Sequence, residues 1–185
     1  MLLSGKHLSL RTVRESDLDR LYTLNCDVQA RGEYFPVYVS SETAFRNEFQ
    51  QHGFWSDHSG NVLISSHENE LLGVLLYFKA TPYFHGFEVG YRLFDTRRSN
   101  RGIMTEALSL FTYLLFTAHP INRLEAKIMP ANIASKRVAI KCGYQLEGIA
   151  RGCTYHRGAY EDMEVYSILR HEAPSSLEET LARIP

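Results

Sequence analysis

A short basic turn at residues 95–102 is the part of this 185-residue sequence with the clearest chemistry. It carries three arginines within five residues and ends at Gly102, directly before an apolar segment that predicts a helix from about Ile103 to Ala118. A helix N-terminus presents free backbone N–H groups and the positive end of the helix dipole, and glycine allows a ligand close to the backbone. The pattern indicates a phosphate or pyrophosphate site. In the alternative interpretation, Gly102 tightens a structural turn and the arginines are solvated.

A second informative block covers residues 132–144, starts at Asn132 and ends with Gly143 and Tyr144. Together with residues 102–108 and the later Glu-Gly pair at 147–148, this block resembles the GNAT acetyltransferase superfamily. Within that superfamily the sequence is most similar to the RimJ/RimL branch. The resemblance runs in order from about residue 7 to residue 170.

The sequence departs from the family at the phosphate loop. Ser99 stands where the family has Gln or Arg, and Met104 stands where it has Gly or Ala, although Met in that place is typical of the RimJ/RimL branch. We expect Arg97 or Arg98 to supply the missing positive charge.

The resemblance implies an α/β (α+β) fold, with a mixed, mostly antiparallel central sheet flanked by helices. A splayed pair of parallel strands would form the coenzyme cleft. The donor would be acetyl-CoA, with its pyrophosphate on the helix that follows Gly102 and its pantetheine arm along the strand at residues 87–94. The residues expected to bind the coenzyme are Tyr91, Arg92, Leu93, Arg97, Arg98, Ser99, Asn100, Arg101, Gly102, Ile103, Met104, Thr105, Asn132 and Ser135.

The resemblance also assigns the catalytic groups. Glu88, on the splayed strand, is the candidate general base, and Ser135 matches the serine acid of the RimL pattern. The tyrosine acid of many family members is replaced by Ala139, and the glutamate base of RimL by Thr154. Three other residues are candidate substitutes, namely Tyr144, Tyr155 and His156. Direct attack by the amine needs no covalent intermediate, so no cysteine has to be a nucleophile, and Cys142 is expected in the core.

The acceptor is expected to be an amine of low pKa. At pH 7 about 10% of a protein N-terminal amine is neutral, whereas below about 0.1% of a lysine side chain is. The loss of a carboxylate at Thr154 is therefore tolerable for an α-amine, including that of a ribosomal protein. A small amine, such as an antibiotic, a polyamine or an aminoacyl nucleotide, is the alternative. A binding module that retains acetyl-CoA without turnover is a third hypothesis.

Composition places limits on the class of protein. The length and the 44% hydrophobic content predict one domain over residues 1–185. A net charge of −1 gives no reason to expect a nucleic-acid partner, and no apolar run is long enough for a transmembrane helix, so we expect no membrane partner and a cytoplasmic location. Three unevenly spaced cysteines argue against disulfides and against a metal site.

Periodicity and turn residues predict the remaining elements. A helix capped by Ser16, a loop at residues 32–39 and a helix from Ser41 to about His52 precede an antiparallel meander. Phe45 and Phe49 on the second helix are expected in the core and are candidates to line an acceptor pocket. The tail at residues 171–185 would hold a short helix after Ser176 that packs on the domain or on a second subunit, which leaves a homodimer open. The predicted strands cover residues 7–11, 61–66, 71–79, 87–94, 123–129, 153–156 and 163–169.

Overall fold

The computed structural model describes residues 1–27, 32–35, 39–79, 81, 83 and 85–184. Within them the chain forms a sheet of eight strands. The strands are β1 (Leu3–Ser4), β2 (Leu8–Thr12), β3 (Ser59–Ser66), β4 (Leu71–Phe78), β5 (Gly86–Leu93), β6 (Arg123–Ile128), β7 (Gln145–His156) and β8 (Ala159–Leu169). The helices are α1 (Leu18–Cys26), α2 (Glu42–His52), α3 (Ile103–Ala118), α4 (Ile133–Lys141) and α5 (Leu177–Arg183).

The strand order is β1-β2-β3-β4-β5-β6-β8-β7. Strands β3 to β5 form the predicted antiparallel meander, β2 pairs antiparallel with β3, and β5 and β6 are the predicted parallel pair. Strand β6 then pairs antiparallel with β8, and β8 with β7. The mixed, mostly antiparallel sheet expected from the sequence is confirmed.

Alternating side chains divide the core into two layers, one on each face of the sheet. On β3, Val62 and Ile64 belong to the larger core cluster, which contains much of α3, whereas Leu63 between them faces the smaller cluster with α1 and α2. Helix α3 is buried along most of its length. The helix that begins at the basic turn is therefore fixed by the larger core.

Polar contacts hold α3 at its C-terminal end and join it to the segment after α4. The Arg170 guanidinium donates to the carbonyls of Phe116, His119 and Ile121, at and just beyond the C-terminal end of α3. The buried hydroxyls of Thr112 and Tyr144 lie 3.0 Å apart and join α3 to the residue that follows α4. These contacts set the position of α4 relative to α3 and thus of the residues at its start.

Ser16 is not the cap of α1, contrary to the prediction, because it lies inside a 3-10 turn at Glu15–Asp17. The Asp17 carboxylate fixes this turn: it accepts from the Arg14 backbone N–H and from both terminal nitrogens of Arg11. Burial alone would raise the pKa of Asp17. The hydrogen bonds and charges of Arg11 and Arg14 outweigh that effect and hold the pKa below its ordinary value.

The other boundaries agree with the sequence to within two residues, with two exceptions, namely the start of β7 and the start of β8, which begins at Ala159 and not at the predicted residue 163. Ser41 caps α2 by accepting from the Ala44 backbone N–H. Strand β7 begins at Gln145, well before the predicted residue 153, because irregular pairing with β8 interrupts its alternation twice. Pro36 and Pro82, which fall in predicted turns, lie outside the described residues.

Helix α5 starts after Ser176, as predicted, and packs on α3 of its own chain through Leu177 and Leu181. The tail was predicted to pack either on its own domain or on a second subunit, and in the structure it packs on its own domain.

Candidate active site

The parallel strands β5 and β6 run side by side for three residues and then part. Gly86, Phe87 and Glu88 pair with Arg123, Leu124 and Glu125, and the described parts of both strands continue beyond this point without pairing to each other. Strand β5 stays paired with β4 as far as Leu93, and β6 stays paired with β8 as far as Ile128. The inner edges of the two strands thus have backbone groups available to an extended ligand, and the predicted splayed cleft is present.

The basic turn lies at the open end of this cleft, because it follows the C-terminal end of β5. Gly102 has φ of +80° and directly precedes α3, and Asn100 also has a positive φ, of +63°. A Cβ built on Gly102 would meet no described atom within 4 Å, so packing does not require a glycine there. The backbone conformation does, because L-residues rarely adopt it. The turn presents the first N–H groups of α3 in an open position.

Two of the arginines in the turn have carboxylate partners. Arg97 bonds to Asp95 within the turn, with Nε 2.9 Å from Oδ1, and Arg98 Nη2 lies 2.6 Å from Glu70 Oε1. The hydrogen bonds and charge of Arg97 lower the pKa of Asp95. The turn is thus stabilised by its own ion pairs, and the role of Arg97 or Arg98 toward a phosphate stays a prediction.

The predicted coenzyme residues of β5 face opposite sides of the sheet. The buried Arg92 side chain points to the α1 side, where Nη2 donates to Asn25 Oδ1 (2.8 Å) and the guanidinium stacks on the rings of Phe35 and Phe94. Arg92 can contact a ligand in the cleft through its backbone but not through this side-chain arrangement. Tyr91 points to the other side, toward α4.

The hydroxyls of Tyr91 and Ser135 form a bridge between β5 and α4. Ser135 Oγ donates to the Tyr91 hydroxyl (2.8 Å), and that hydroxyl lies 3.2 Å from the Ser135 carbonyl oxygen. Asn132 caps α4 by accepting from the Ser135 N–H at 3.1 Å, as its predicted position requires. Burial raises the pKa of Tyr91, so the phenol stays protonated. The side-chain role of Tyr91 was missed, although its alternation with Phe87 and Val89 could have indicated its direction.

Glu88 lies at the last paired position before the strands part, opposite Glu125. Its Oε2 is 2.6 Å from Lys127 Nζ. Burial disfavours the charged lysine, but the hydrogen bond and charge of Glu88 outweigh it, and the pKa of Lys127 lies above its ordinary value. The role of Glu88 as the base stays a prediction, and its ion pair with Lys127 was not predicted from the sequence.

Tyr144 is a poor substitute for the missing acid, because its buried hydroxyl bonds to Thr112 in the core. Tyr155 is largely exposed and stacks on Tyr160 near the tip of the β7–β8 hairpin. His156 Nε2 lies 2.7 Å from the Glu33 carbonyl oxygen. These contacts give all three candidates structural roles.

Cys142 packs against α3, in agreement with the expected core position. Its Sγ donates to the Thr105 carbonyl and accepts from Ser109, and burial raises the pKa of the thiol to about 11. Such a thiol is a poor nucleophile at neutral pH.

A cavity of about 250 Å³ lies between the α1–α2 layer and the sheet, on the face that carries Glu88 and Arg92. Aromatic side chains line it, including Phe45 from α2, as the sequence suggested. Phe49 instead packs on Phe54, another lining residue, with ring centres 5.6 Å apart. The cavity therefore adds apolar space on this face of the sheet.

Metal ions and membranes are two other possible partners of the described residues. The described residues contain no group of three or more His, Cys, Asp or Glu side chains placed to hold a metal ion. None of the helices in this part of the chain has the length and apolar content needed to cross a membrane.

Comparison with known proteins agrees with this geometry. The family model "Acetyltransferase (GNAT) domain" matches residues 7–145. The ribosomal-protein-serine acetyltransferase of Escherichia coli (strain K12) is 27% identical over 88% of this chain and 93% of its own length. The probable N-acetyltransferase YjcK of Bacillus subtilis (strain 168) is 42% identical over 81 residues, which are 44% of each chain.

Solved structures of acetyltransferases are also similar to this chain. The structure of RimL, a ribosomal-protein alpha-N-acetyltransferase, in complex with coenzyme A is 26% identical with a TM-score of 0.74, over 91% of this chain and 97% of that one. Mycobacterium smegmatis RimJ, in complex with CoA-disulfide, has a TM-score of 0.77 at 24% identity, over 95% of this chain and 87% of that one. The RimJ match supports the fold alone.

Gly102→Val should abolish the stabilisation of the protein by acetyl-CoA. A φ of +80° is unfavourable for valine, and its branched side chain would lie where the pyrophosphate would bind. At a hundredfold excess over Kd, the parent should gain about 2.7 kcal/mol from the ligand. The measurement is the melting temperature with and without acetyl-CoA.

Gly53→Val is the matched control, because Gly53 has φ of +63°, is equally open and ends α2. Both variants should lose stability without ligand, by about 1–2 kcal/mol each. The Gly53 variant should keep the full response to acetyl-CoA. An undiminished response in Gly102→Val would show that the turn does not bind the donor.

Proposed function

This chain belongs to the GNAT acetyltransferase family, whose members transfer the acetyl group of acetyl-CoA to an amine, and we propose that its acceptor is a protein N-terminal α-amine. The similarity to a ribosomal-protein-serine acetyltransferase along 88% of the chain supports a protein acceptor. A ribosomal acceptor would place the enzyme in the cytoplasm. The homodimer remains a prediction.

The ion pair between Glu88 and Lys127 is the observation that carries the choice of amine. The Lys127 ammonium lies 2.6 Å from the Glu88 carboxylate, so one oxygen of this base is already engaged before an amine binds. Such a base suits an acceptor that is already partly neutral at the working pH. An α-amine meets this condition and a lysine side chain does not.

In the proposed reaction, the neutral amine nitrogen attacks the thioester carbonyl carbon and forms a tetrahedral oxyanion. The C–S bond then breaks, and the coenzyme leaves as a thiolate. Glu88 takes the proton that the nitrogen loses, directly or through a water molecule. The thiolate takes up a proton through the Ser135 hydroxyl, which must first leave its Tyr91 acceptor and which regains a proton from solvent water in the same step.

The donor is proposed to bind along β5 and onto the turn, through the residues predicted from the sequence. The open edge of β5 at Tyr91–Leu93 would pair with the pantetheine arm, and the N–H groups at Ile103, Met104 and Thr105 would hold the pyrophosphate. Asn132 acts indirectly, because its side chain caps the start of α4 and thereby positions Ser135.

A small-molecule amine is the second candidate acceptor, and the aromatic-lined cavity of about 250 Å³ favours it. A cavity of this size can enclose part of a small ligand, whereas a peptide needs an open groove.

Acceptor preference tests the proposal. At pH 7 we expect acetylation of a peptide with a free N-terminus to be about 100-fold faster than that of its N-acetylated form with an internal lysine, following the neutral fractions of the two amines. The rate with the free N-terminus should rise toward pH 8 as the amine loses its proton. Release of free thiol measures both, with a panel of small amines assayed alongside.

An internal lysine acetylated as fast as the N-terminus at pH 7 would contradict the proposal. Transfer to a small amine with no transfer to any peptide would establish the second candidate instead.

The catalytic assignment predicts different effects for Glu88 and Ser135. Glu88→Gln should lower kcat by about 10²- to 10⁴-fold while acetyl-CoA still stabilises the protein, and the deficit should shrink as the pH rises. Ser135→Ala should have a smaller effect on kcat, because a thiolate with a pKa near about 8.5 is already a tolerable leaving group. Initial rates of the two variants and of the parent from pH 6 to 9 measure both effects on kcat.

Glu164→Gln is the control, because Glu164 is also ion-paired with a lysine, Lys136, and its side chain is as buried as that of Glu88. It should turn over at close to the parent rate. Near-normal turnover in Glu88→Gln would remove Glu88 as the base.

A further inference from the structure

Five charged side chains share the face of the sheet at the point where β5 and β6 part. Leu124, Ala126 and Ile128 of β6 belong to the larger core, so Glu125 and Lys127 between them face the opposite side, the same side as Glu88. Arg123 and Glu147 extend the group: Arg123 bonds to both Glu125 and Glu147. We name these five residues, 88, 123, 125, 127 and 147, the apex cluster.

The apex cluster brings two carboxylates together. Glu88 and Glu125 are register partners on neighbouring strands, about 4.8 Å apart at the backbone, and both are largely buried. Neighbouring carboxylates on the same face of a sheet disfavour each other's ionised form. The structure counters this with two cations, since Lys127 bonds to Glu88 and Arg123 to Glu125.

Lys127 occupies a special place in this arrangement. It lies two residues beyond Glu125, on the part of β6 that has already separated from β5, so its side chain reaches back across the parting to Glu88. The contact therefore both neutralises Glu88 and fixes the direction of its carboxylate. Lys127 stays cationic at working pH, because its pKa lies above the ordinary value for lysine, so it is not itself the base.

We propose that Lys127 is a positioning residue for acetyl transfer, which keeps Glu88 ionised beside Glu125 and aimed at the parting of the strands. This inference rests on the proposed role of Glu88 as the base. The carboxylate that Lys127 holds in this way is ready to accept a proton from the amine.

Other charged groups near Glu88 do not replace Lys127. Arg92, on the same face of β5, is turned to Asn25 and Leu24, and Arg123 is engaged by Glu125 and Glu147. The Cys153 thiol of β7 lies within electrostatic range of Lys127 and adds no positive charge. Loss of the Lys127 charge would therefore leave Glu88 facing Glu125.

A direct test is the titration of Glu88 by NMR, in protein labelled with ¹³C at the glutamate carboxyls and with the resonance assigned by its loss in Glu88→Gln. In Lys127→Met the Glu88 carboxyl should take up its proton about one pH unit or more higher than in the parent. Lys127→Arg should titrate like the parent. Lys136→Met, which breaks the comparable pair with Glu164, should leave the midpoint of Glu88 unchanged.

Below the pKa of the amine kcat/KM already falls as the neutral acceptor is lost, so the relevant acidic limb is the steeper one that begins at the Glu88 midpoint. This limb should shift with that midpoint, using any amine that the enzyme accepts. Lys127→Gln provides a second neutral variant if Lys127→Met does not fold. An unchanged midpoint in a folded neutral variant overturns the proposal, and so does a shifted midpoint with an unmoved rate limb. The NMR titration does not depend on the acceptor, so failure of the α-amine proposal would appear in the peptide assay alone.

Discussion

The end of the parallel pairing at Glu88 and Glu125 is the constraint on which the rest of the site depends. Backbone N–H and C=O groups that lose their strand partners need others, and unsatisfied buried groups are costly. In this chain β4 and β8 hold the outer edges of the two strands in full register, so only their inner edges are open. An extended ligand that pairs with those edges restores the missing hydrogen bonds.

The separation of β5 from β6 also explains the positions of the contacts around the cleft. The bridge between Tyr91 and Ser135 ties β5 to α4 at the open end, and the Thr112–Tyr144 contact ties α4 to α3. Because α3 also begins at the basic turn, its burial in the larger core fixes the turn and the cleft relative to each other. The site is thus built from secondary-structure ends that the core holds in place.

The sequence predicted the features that depend on local order along the chain. The helix from Ile103 to Ala118, the cap at Asn132 and the meander follow from periodicity and turn residues, and the structure confirms them. The start of β7 was not predictable in this way, because its irregular pairing hides the alternation that marks a strand. Ser16 failed as a cap because a carboxylate from the next residue, bound to Arg11, determines the turn.

Contacts between residues that are far apart in the sequence could not be predicted, for a different reason. Lys127 looks like any other charged residue of a strand until β5 and β6 are placed side by side, and the same is true of the Tyr91 hydroxyl. Glu88 was found because the resemblance marks its position, but the resemblance carries no information about its counter-ion. The ion pair of Glu88 with Lys127 therefore emerges from the three-dimensional structure alone.

Hydrogen–deuterium exchange with and without coenzyme A tests most directly whether the donor fills the parting of the strands. The account predicts slower exchange of the amides on the open edge of β5, at residues 89–93, and of the first turn of α3, at residues 103–105, with the amides of β2 and β3 unchanged. Protection confined to the α1–α2 layer around the aromatic cavity, with no change along β5, would contradict it.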